Sequence, residues 1–299
     1  MDVSIIIVNH NTSRLTVQAI TSIFLQVEGV EKEVIVVDSA STEDCSELSS
    51  FCDENDVLFI KLDENVGFGS ANNMGASRAQ GRNLFFLNPD TVLLNNAVKL
   101  LSDYLDAHPM VAACGGNLFT EHKEPAHSYS FSFPSLSREL DFICGRMFSK
   151  LKYRADAEFN TTGSAYPVAY VCGADLMMKR KIFNSLSGFS PDYFLYYEES
   201  DLERRVTDAG FEVHSVPQAE IIHLEGKSFE FSEEREKHVF NGRNVYFSKH
   251  YSSFYHRCAD WMNIFSLCAA LLACRLRGKA EESRKYRFRL NLYRNAYGK

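Results

Sequence analysis

Three stretches of the chain put carboxylates or an imidazole where a folded protein can do chemistry. The first is Leu84-Phe85-Phe86-Leu87-Asn88-Pro89-Asp90-Thr91. Leu84 to Leu87 is a short apolar run, the pattern of a strand buried on both faces. Asn88-Pro89 cannot continue a central strand, and the carboxylate of Asp90 follows at once. In an open α/β sheet, ligands sit beyond the carboxyl ends of the strands. Asp90 therefore stands where a polar group meets a ligand, and a carboxylate there suits a hard cation such as Mg²⁺ or Mn²⁺. Asn-Pro-Asp is equally good turn chemistry, and taken alone both readings stand.

The second stretch runs from Tyr193 to Arg205. Ser200 and Glu203 have capping-box spacing, which predicts a helix starting there and ending near Gly210. Glu198 and Glu199 then lie just before the helix, beside tyrosines and phenylalanines. An aromatic wall raises a carboxyl pKa towards a general-base role. Acids at that place also complement the helix dipole, and Asp201 and Glu203 are read as doing no more than that. The third is Ala219 to His223, a short strand ending in His223. A lone histidine at a strand end is more often structural; this one matters to the chemistry only if it meets Asp90.

The bulk of the chain narrows the classes. At 299 residues it is one large domain or a domain with an appendage. With 45% hydrophobic and 24% charged residues it has an ordinary globular composition. A formal net charge of -7 excludes a nucleic-acid binder by charge alone. Basic residues crowd the end, however. From Arg275 to Lys299 the chain carries roughly +7, leaving roughly -14 elsewhere, and such asymmetry suggests an anionic partner for the tail. The eight cysteines are scattered and form no Cys-x-x-Cys pair, which predicts reduced cytosolic thiols rather than disulfides or structural zinc. No basic segment precedes the first strand, so no signal peptide is read. The most apolar stretch, Trp261 to Cys274, is shorter than the ~20 residues a bilayer span needs.

The elements that must position these residues follow in order. Val3 to Val8 is a buried strand ending in Asn9-His10-Asn11. Thr12 or Ser13 can cap a helix whose apolar face is Leu15, Ala19, Ile20, Ile23 and Phe24. Glu33 to Val37 is a second strand ending at Asp38. Ser41 and Asp44 have capping-box spacing for the next helix, and Val57 to Leu62 is a third strand. Strand, helix, strand, helix, strand means a parallel sheet with right-handed crossovers. Asp38 then suits a nucleotide's ribose or base, or a helix cap.

In Asn65-Val66-Gly67-Phe68-Gly69, with Asn72, Asn73 and Gly75, two glycines resemble a dinucleotide fingerprint. Its third glycine would fall on Asn72, which demotes a nicotinamide oxidoreductase. The asparagines can instead hold a base edge, while the glycines admit the backbone. A helix is read from Asn95 or Asn96 to Ala107, then a strand from Val111 to Cys114 and a turn at Gly115-Gly116. Positions 119 to 167 are weakly patterned, as a lid or binding loop is, with a helical piece around Leu136 to Leu151. Val168 to Cys172 restores a strand before Gly173-Ala174-Asp175, where glycine permits close approach to a ligand. Glu212 to Val216 is read as a further strand, and Glu233 to Lys249 as a helix. Phe254 to Leu276 and Glu281 to Tyr297 close the chain. Trp261, Ile264, Phe265, Leu267, Leu271 and Leu272 form an apolar surface beside the basic tail. That is the look of an interfacial helix drawn to anionic lipid, or of a hairpin packing on the domain or a second subunit.

Assembled, these pieces resemble the family 2 glycosyltransferases, the inverting GT-A type. The likeness runs over about residues 3 to 225. It rests on Ser4-Ile5-Ile6-Ile7-Val8-Asn9-His10-Asn11, Val36-Val37-Asp38-Ser39-Ala40-Ser41, Asn65-Val66-Gly67-Phe68-Gly69, Phe86-Leu87-Asn88-Pro89-Asp90, Gly173-Ala174 and Phe194 to Leu202 with Arg205. Asn-Pro-Asp looks most like the bacterial rhamnosyltransferase and galactofuranosyltransferase branch.

The resemblance implies an α/β fold of GT-A type over residues 1–230, with a nucleotide-sugar half to about 115 and an acceptor half after it. Residues 231–299 are then a helical extension. It implies that Asp38 contacts the base, with Val8, Asn9, Asn11, Gly67, Asn72, Asn88 and Asp90 around the nucleotide sugar. Asp90 matches the last acid of the family's Asp-x-Asp motif, and His223 a histidine that completes a Mg²⁺ or Mn²⁺ site. Glu199 matches the catalytic base, and Glu198, Gly173 and Ala174 the acceptor side. Two departures stand out: Asn88 replaces the first acid of Asp-x-Asp, and Glu199 stands where many members have Asp.

The expected activity is inverting transfer from dTDP-rhamnose or a UDP-hexose to a hydroxyl of a glycan or lipid-linked glycan, in cell-surface polysaccharide synthesis. The expected place is the cytoplasm, at the inner membrane's cytoplasmic face, with a homo-oligomer compatible. The alternative is a non-catalytic GT-A-like partner subunit, favoured by Asn88. A nucleotidyltransferase would carry a Gly- and Arg-rich loop after Val8, which is missing.

Overall fold

The computed structural model describes residues 1–144, 147, 158–224 and 231–297. The first half alternates strand and helix: β1 (Val3–Asn9), α1 (Ser13–Gln26), β2 (Lys32–Asp38), α2 (Ser46–Glu54), β3 (Leu58–Lys61), α3 (Phe68–Arg78) and β4 (Asn83–Leu87). Then come β5 (Thr91–Leu93), α4 (Ala97–Ala107), β6 (Val111–Phe119), β7 (Tyr129–Ser130), α5 (Leu136–Ile143), β8 (Tyr166–Val168) and β9 (Tyr170–Val171). They are followed by β10 (Asp175–Lys179), α6 (Arg180–Ser185), α7 (Glu198–Asp208) and β11 (Glu212–His223). Three long helices close the chain: α8 (Glu233–His250), α9 (Ser253–Leu276) and α10 (Ala280–Tyr297).

Among the described residues, nine strands form one sheet in the order β3-β2-β1-β4-β10-β6-β11-β5, with β8 on β11. β1 runs parallel to β2 and β4, and its register places Asn9 beside Asp38. β10 reverses direction between β4 and β6. The apolar runs of β1 and β4 are continuous because both faces are covered. Ile5 and Ile7 join the core under α1 and α4, while Ile6 and Val8 join the one under α3. Phe86 of β4 meets Phe183 and Phe189 at ring-centroid distances of 5.0 and 4.9 Å. A third cluster of Tyr193, Tyr246, Phe247 and Ala259 fastens α8 and α9 onto the loop that leads into α7.

Several local expectations are corrected. α2 begins at Ser46, because the Ser41 hydroxyl turns back to Asp38 (2.5 Å) and Asp44 accepts the Ser46 amide instead. Thr12 stands at the start of α1 without capping it; its hydroxyl donates to Asn9. Phe24 is exposed on that helix. Gly115-Gly116 does not turn the chain but lies within β6. A Cβ on Gly115 would sit 3.0 Å from Val171 Cβ, and one on Gly116 2.5 Å from the Ala219 carbonyl oxygen, so close strand packing demands both glycines. Glu212 to His223 is one strand, kept whole by a register irregularity between Ser215 and Glu220. The helix read over Leu136 to Leu151 ends at Ile143, and most of its second half lies outside the described residues. α9 extends well beyond the Trp261–Cys274 stretch. Its 24 residues are long and apolar enough to cross a membrane by length and composition. One side of it is nonetheless committed to protein: Leu267 is buried, and Arg243 of α8 binds Asp260.

Candidate active site

The carboxyl ends of β1, β2 and β4 share one edge of the sheet. On it, Asn9 is buried and fully used. Its amide donates to Asp38 Oδ1 (2.7 Å) and Ser41 (3.1 Å), and its carbonyl accepts the Thr12 and Thr16 hydroxyls. Asp38 has no exposed surface. With Asn9 and Ser41 it orders the loop after β2. Asn11, in the left-handed region (φ 58), accepts the Thr42 and Glu43 amides from the outside of that loop. The Asn72 side chain turns back to the Phe68 carbonyl within α3, and Asn73 binds Phe189. Asn65 instead supports the loop before α3: its carbonyl accepts the Gly67 amide and the Ser39 hydroxyl. Gly67 needs to be glycine on two counts. Its φ is +82, and a Cβ would lie 2.3 Å from the Phe194 carbonyl, which accepts the Phe68 amide.

Asp90 and His223 meet. β5 pairs with the end of β11, with Thr91 opposite His223, and this draws His223 Nε2 to 3.3 Å from Asp90 Oδ1. Asn88 Nδ2 lies 3.4 Å from the same nitrogen. Among the described residues, Asn88 Oδ1 is buried without a hydrogen-bond partner. A carboxylate oxygen and an imidazole nitrogen thus meet, with the Asn88 amide beside them, a pair of donors that fits a divalent cation. Among the described residues no three His, Cys, Asp or Glu side chains cluster for a metal. A cation of the Mg²⁺ type completes its shell with substrate phosphates and water, so a two-residue anchor plus Asn88 matches that habit.

The same edge reaches the acidic pair. The Asn88 amide donates to the Ala174 carbonyl (2.9 Å), and a Cβ on neighbouring Gly173 would stand 3.6 Å from Glu199 Cβ. Glu198 and Glu199 are not before the helix but in the first turn of α7. The capping-box spacing was misleading because Tyr196 and Tyr197 take left-handed backbone (φ 71 and 74), and the helix starts directly after them. Burial raises the Glu199 pKa, partly opposed by backbone amides at its own position and at Ser200. Burial and the neighbouring Glu199 charge push Glu198 well above the carboxylate range.

Asp201 and Glu203 do more than face a dipole. Asp201 is buried and takes bonds from Tyr193, Arg205 and His250. Glu203 is buried against β9, where it accepts the Val171 amide. Asp175, next after Gly173-Ala174, is held by the Gly116 amide and pushed up to about 7 by burial. The sequence offered nothing for it beyond its place after Gly173-Ala174.

A cavity of about 780 Å³ opens on Glu199 and Ser200, walled by α5 and the three C-terminal helices. Its wall residues on the three C-terminal helices were not foreseen as part of the site, whereas α5 falls in the weakly patterned stretch read as a lid or binding loop. They come from elements a hundred residues apart, and only the tertiary fold brings them together.

A mixed sheet of this order, with polar groups gathered at one edge, is the GT-A fold. It superposes on the mannosyltransferase PcManGT from Pyrobaculum calidifontis, solved with GDP-Man and Mn²⁺. The TM-score is 0.62 at 16% identity, covering 99% of this chain and 87% of that one. GalNAc-T7, solved with UDP, GalNAc and Mn²⁺, gives a TM-score of 0.57 at 16% identity over 75% of this chain and 44% of that one. The chain belongs to glycosyl transferase family 2, whose description matches residues 4–186. It is 28% identical over 169 residues to the rhamnosyltransferase WbbL of Escherichia coli, 52% of this chain and 60% of that protein. An N-acetylglucosaminyl-diphospho-decaprenol L-rhamnosyltransferase of Mycobacterium tuberculosis is 27% identical over 143 residues, 47% of this chain and 46% of that one. The chain thus spans less than two thirds of these curated relatives.

Proposed function

We propose that the protein is an inverting, metal-dependent glycosyltransferase that moves a sugar from a nucleoside diphosphate donor to a glycan hydroxyl. One observation supports the reading: Asp90 meets His223, and the neighbouring Asn88 backbone amide bonds Ala174, whose neighbour Gly173 packs against Glu199. Asp38, Asn9 and Asn11 shape the base pocket, with Val8 and Gly67 as its backbone walls and Asn72 beneath. Asp90 and His223, with Asn88 beside them, would hold Mg²⁺ or Mn²⁺. A bound cation there would offset the charge that develops on the leaving diphosphate.

Glu199 accepts the proton of the acceptor hydroxyl. The hydroxyl oxygen forms its bond to the anomeric carbon as the bond to the diphosphate oxygen breaks on the opposite face. One base suffices, and inversion follows. Gly173, Ala174 and Glu198 line the acceptor side.

The E. coli and M. tuberculosis relatives are named as rhamnosyltransferases. On that likeness the donor is dTDP-rhamnose, with a UDP-hexose next, and the acceptor is lipid-linked glycan for cell-surface polysaccharide. The nucleotide-sugar half spans about 1–115, the acceptor half 116–230, and residues 231–299 extend the acceptor side. A lipid acceptor places the protein at the cytoplasmic membrane face, and α9 carries a surface for it. Phe254, Trp261, Phe265, Leu272 and Leu276 are 59–80% exposed at intervals of seven and four residues, one helical stripe.

Asn88, standing where the family has an acid, favours a second reading: a GT-A-shaped partner subunit without catalysis. Thermal melting with dTDP-rhamnose, UDP-glucose, UDP-galactofuranose and GDP-mannose, each with and without Mn²⁺, separates the two. A metal-dependent rise with one donor supports the transferase by mass action. No rise with any donor or free nucleoside diphosphate sinks it.

A further inference from the structure

Glu199 has to carry a negative charge in a place that works against one. Glu198 precedes it in the first turn of α7, and buried Glu203 follows one turn later. The cations of the cavity wall are engaged with other groups. Arg243 is shared by Glu139 and Asp260, Arg289 grips Glu236, and Lys285 reaches Glu281. Arg138 donates to the Ser132 carbonyl and the Tyr170 hydroxyl, and Arg235 to the Tyr196 hydroxyl.

The opposite charge comes from the strand side. β7 and β9 run antiparallel with Tyr129 opposite Val171, and the Cys172 amide donates to the Ser128 carbonyl at 2.8 Å. The next step of that register sets His127 opposite Gly173. A Cβ on Gly173 would lie 3.6 Å from Glu199 Cβ and Cγ and 3.9 Å from its carboxyl carbon, so the backbone there runs along the Glu199 side chain. His127 is held in turn by Glu158, whose carbonyl accepts the Ser128 amide at 2.7 Å and whose carboxylate meets His127 Nδ1 at 3.1 Å. A carboxylate on Nδ1 fixes one proton there, so a second proton, and with it the positive charge, goes to Nε2. Burial disfavours charge on Glu199, and the charge on His127 favours it. The His127 and Glu158 side chains are 36% and 30% exposed, so water moderates the effect.

Resting on the reading of Glu199 as the base, we infer that His127 is a positioning residue for the transfer: its imidazolium, backed by Glu158, is the counter-charge that keeps Glu199 ionised. Glu158, His127 and Glu199 then form a row of alternating charge. His127 belongs to the weakly patterned stretch read as a lid or binding loop, so that stretch brings charge to the base besides covering it.

The sign of the test is fixed, because removing a cation from beside a carboxylate makes the carboxylate harder to ionise. The ¹³C carboxyl resonance of Glu199, assigned by its loss in Glu199→Gln, reads ionisation in the full chain without turnover. His127→Gln should raise its titration midpoint by roughly half to one pH unit, and Glu158→Gln should raise it less. His127→Lys, which keeps a charge, should restore most of the wild-type midpoint. With dTDP-rhamnose as donor, kcat/KM of His127→Gln should fall roughly three- to tenfold on the acid limb, and the loss should shrink as pH rises. An unmoved midpoint in His127→Gln, or an equal loss of rate at every pH, overturns the assignment. Undiminished transfer by Glu199→Gln overturns the base reading instead, while the midpoint still decides whether His127 and Glu199 are charge partners.

Discussion

At the scale of single residues, Glu199, the proposed base, is the first group to test. Glu199 is half-buried at the mouth of the cavity, and burial raises its pKa. A base must be ionised to work. kcat/KM should therefore climb with pH through a value above the ordinary glutamate range of ~4.3, then level off. Glu199→Gln should cost ~10²–10⁴-fold in transfer, the usual worth of a general base, with nucleoside diphosphate affinity kept. Initial rates beside a binding titration check both halves, and undiminished turnover sinks the base assignment. Asn88 offers a test in the opposite direction. Its side chain lies against the Asp90–His223 pair, so Asn88→Asp should lower the Mn²⁺ concentration for half-maximal stabilisation by roughly tenfold, through added ligand charge. An unchanged or raised Mn²⁺ requirement would remove Asn88 from the cation's shell. The place of Asp90 after its strand was legible because it follows a pattern break, a Pro turn, that sequence displays; that of Glu199 was legible only to within a turn. Asp38 was legible in place but not in its hydrogen bonds, since Asn9 and Ser41 reach it only across paired strands and a folded loop.

At the scale of elements, the first turn of α7 is aimed by a feature no periodicity reveals. Tyr196 and Tyr197 both hold left-handed backbone, which costs of order 1 kcal/mol or more apiece, and α8 keeps them there. Gly242, buried in α8, packs on them so closely that a Cβ would lie 2.4 Å from the Tyr196 carbonyl oxygen and 3.1 Å from the Tyr197 ring. Alanine gains about 1 kcal/mol in a helix interior, but the clash is with backbone and cannot be relieved by a rotamer. Overpacking of this kind costs typically ~1–3 kcal/mol, so the steric term wins. Gly242→Ala should lower the melting temperature and reduce transfer together, because the turn that shifts carries Glu199. A raised melting temperature would show that α8 does not bear on the turn. Strand and helix order over the first half of the chain was readable from alternating apolar runs. The α7 start was not, because the capping-box residues Ser200 and Glu203 serve burial instead.

At the scale of the whole molecule, the charge imbalance and the apolar stripe on α9 belong together. The folded tail is less free than its composition suggests: Arg289 is taken by Glu236, Lys279 by Glu282 and Lys285 by Glu281. Arg275, Arg277 and Arg287 remain exposed, Arg275 and Arg277 beside the exposed Leu272–Leu276 end of the stripe. α10 packs back on α8, as the hairpin alternative has it, while one face of α9 stays uncovered. Apolar side chains next to fixed cations match an anionic lipid surface, where each cation near the membrane is worth about 1 kcal/mol. Trp261 is the single tryptophan of the chain and is 71% exposed on that stripe, so its fluorescence reports the face alone. Vesicles containing anionic phospholipid should shift its emission to the blue and carry the protein down on centrifugation, while purely zwitterionic vesicles should do so weakly. Phe265→Asp with Leu272→Asp should abolish both signals without lowering the melting temperature, because neither side chain is buried. A blue shift that depends on protein concentration and not on lipid would instead assign the stripe to a second copy of the chain.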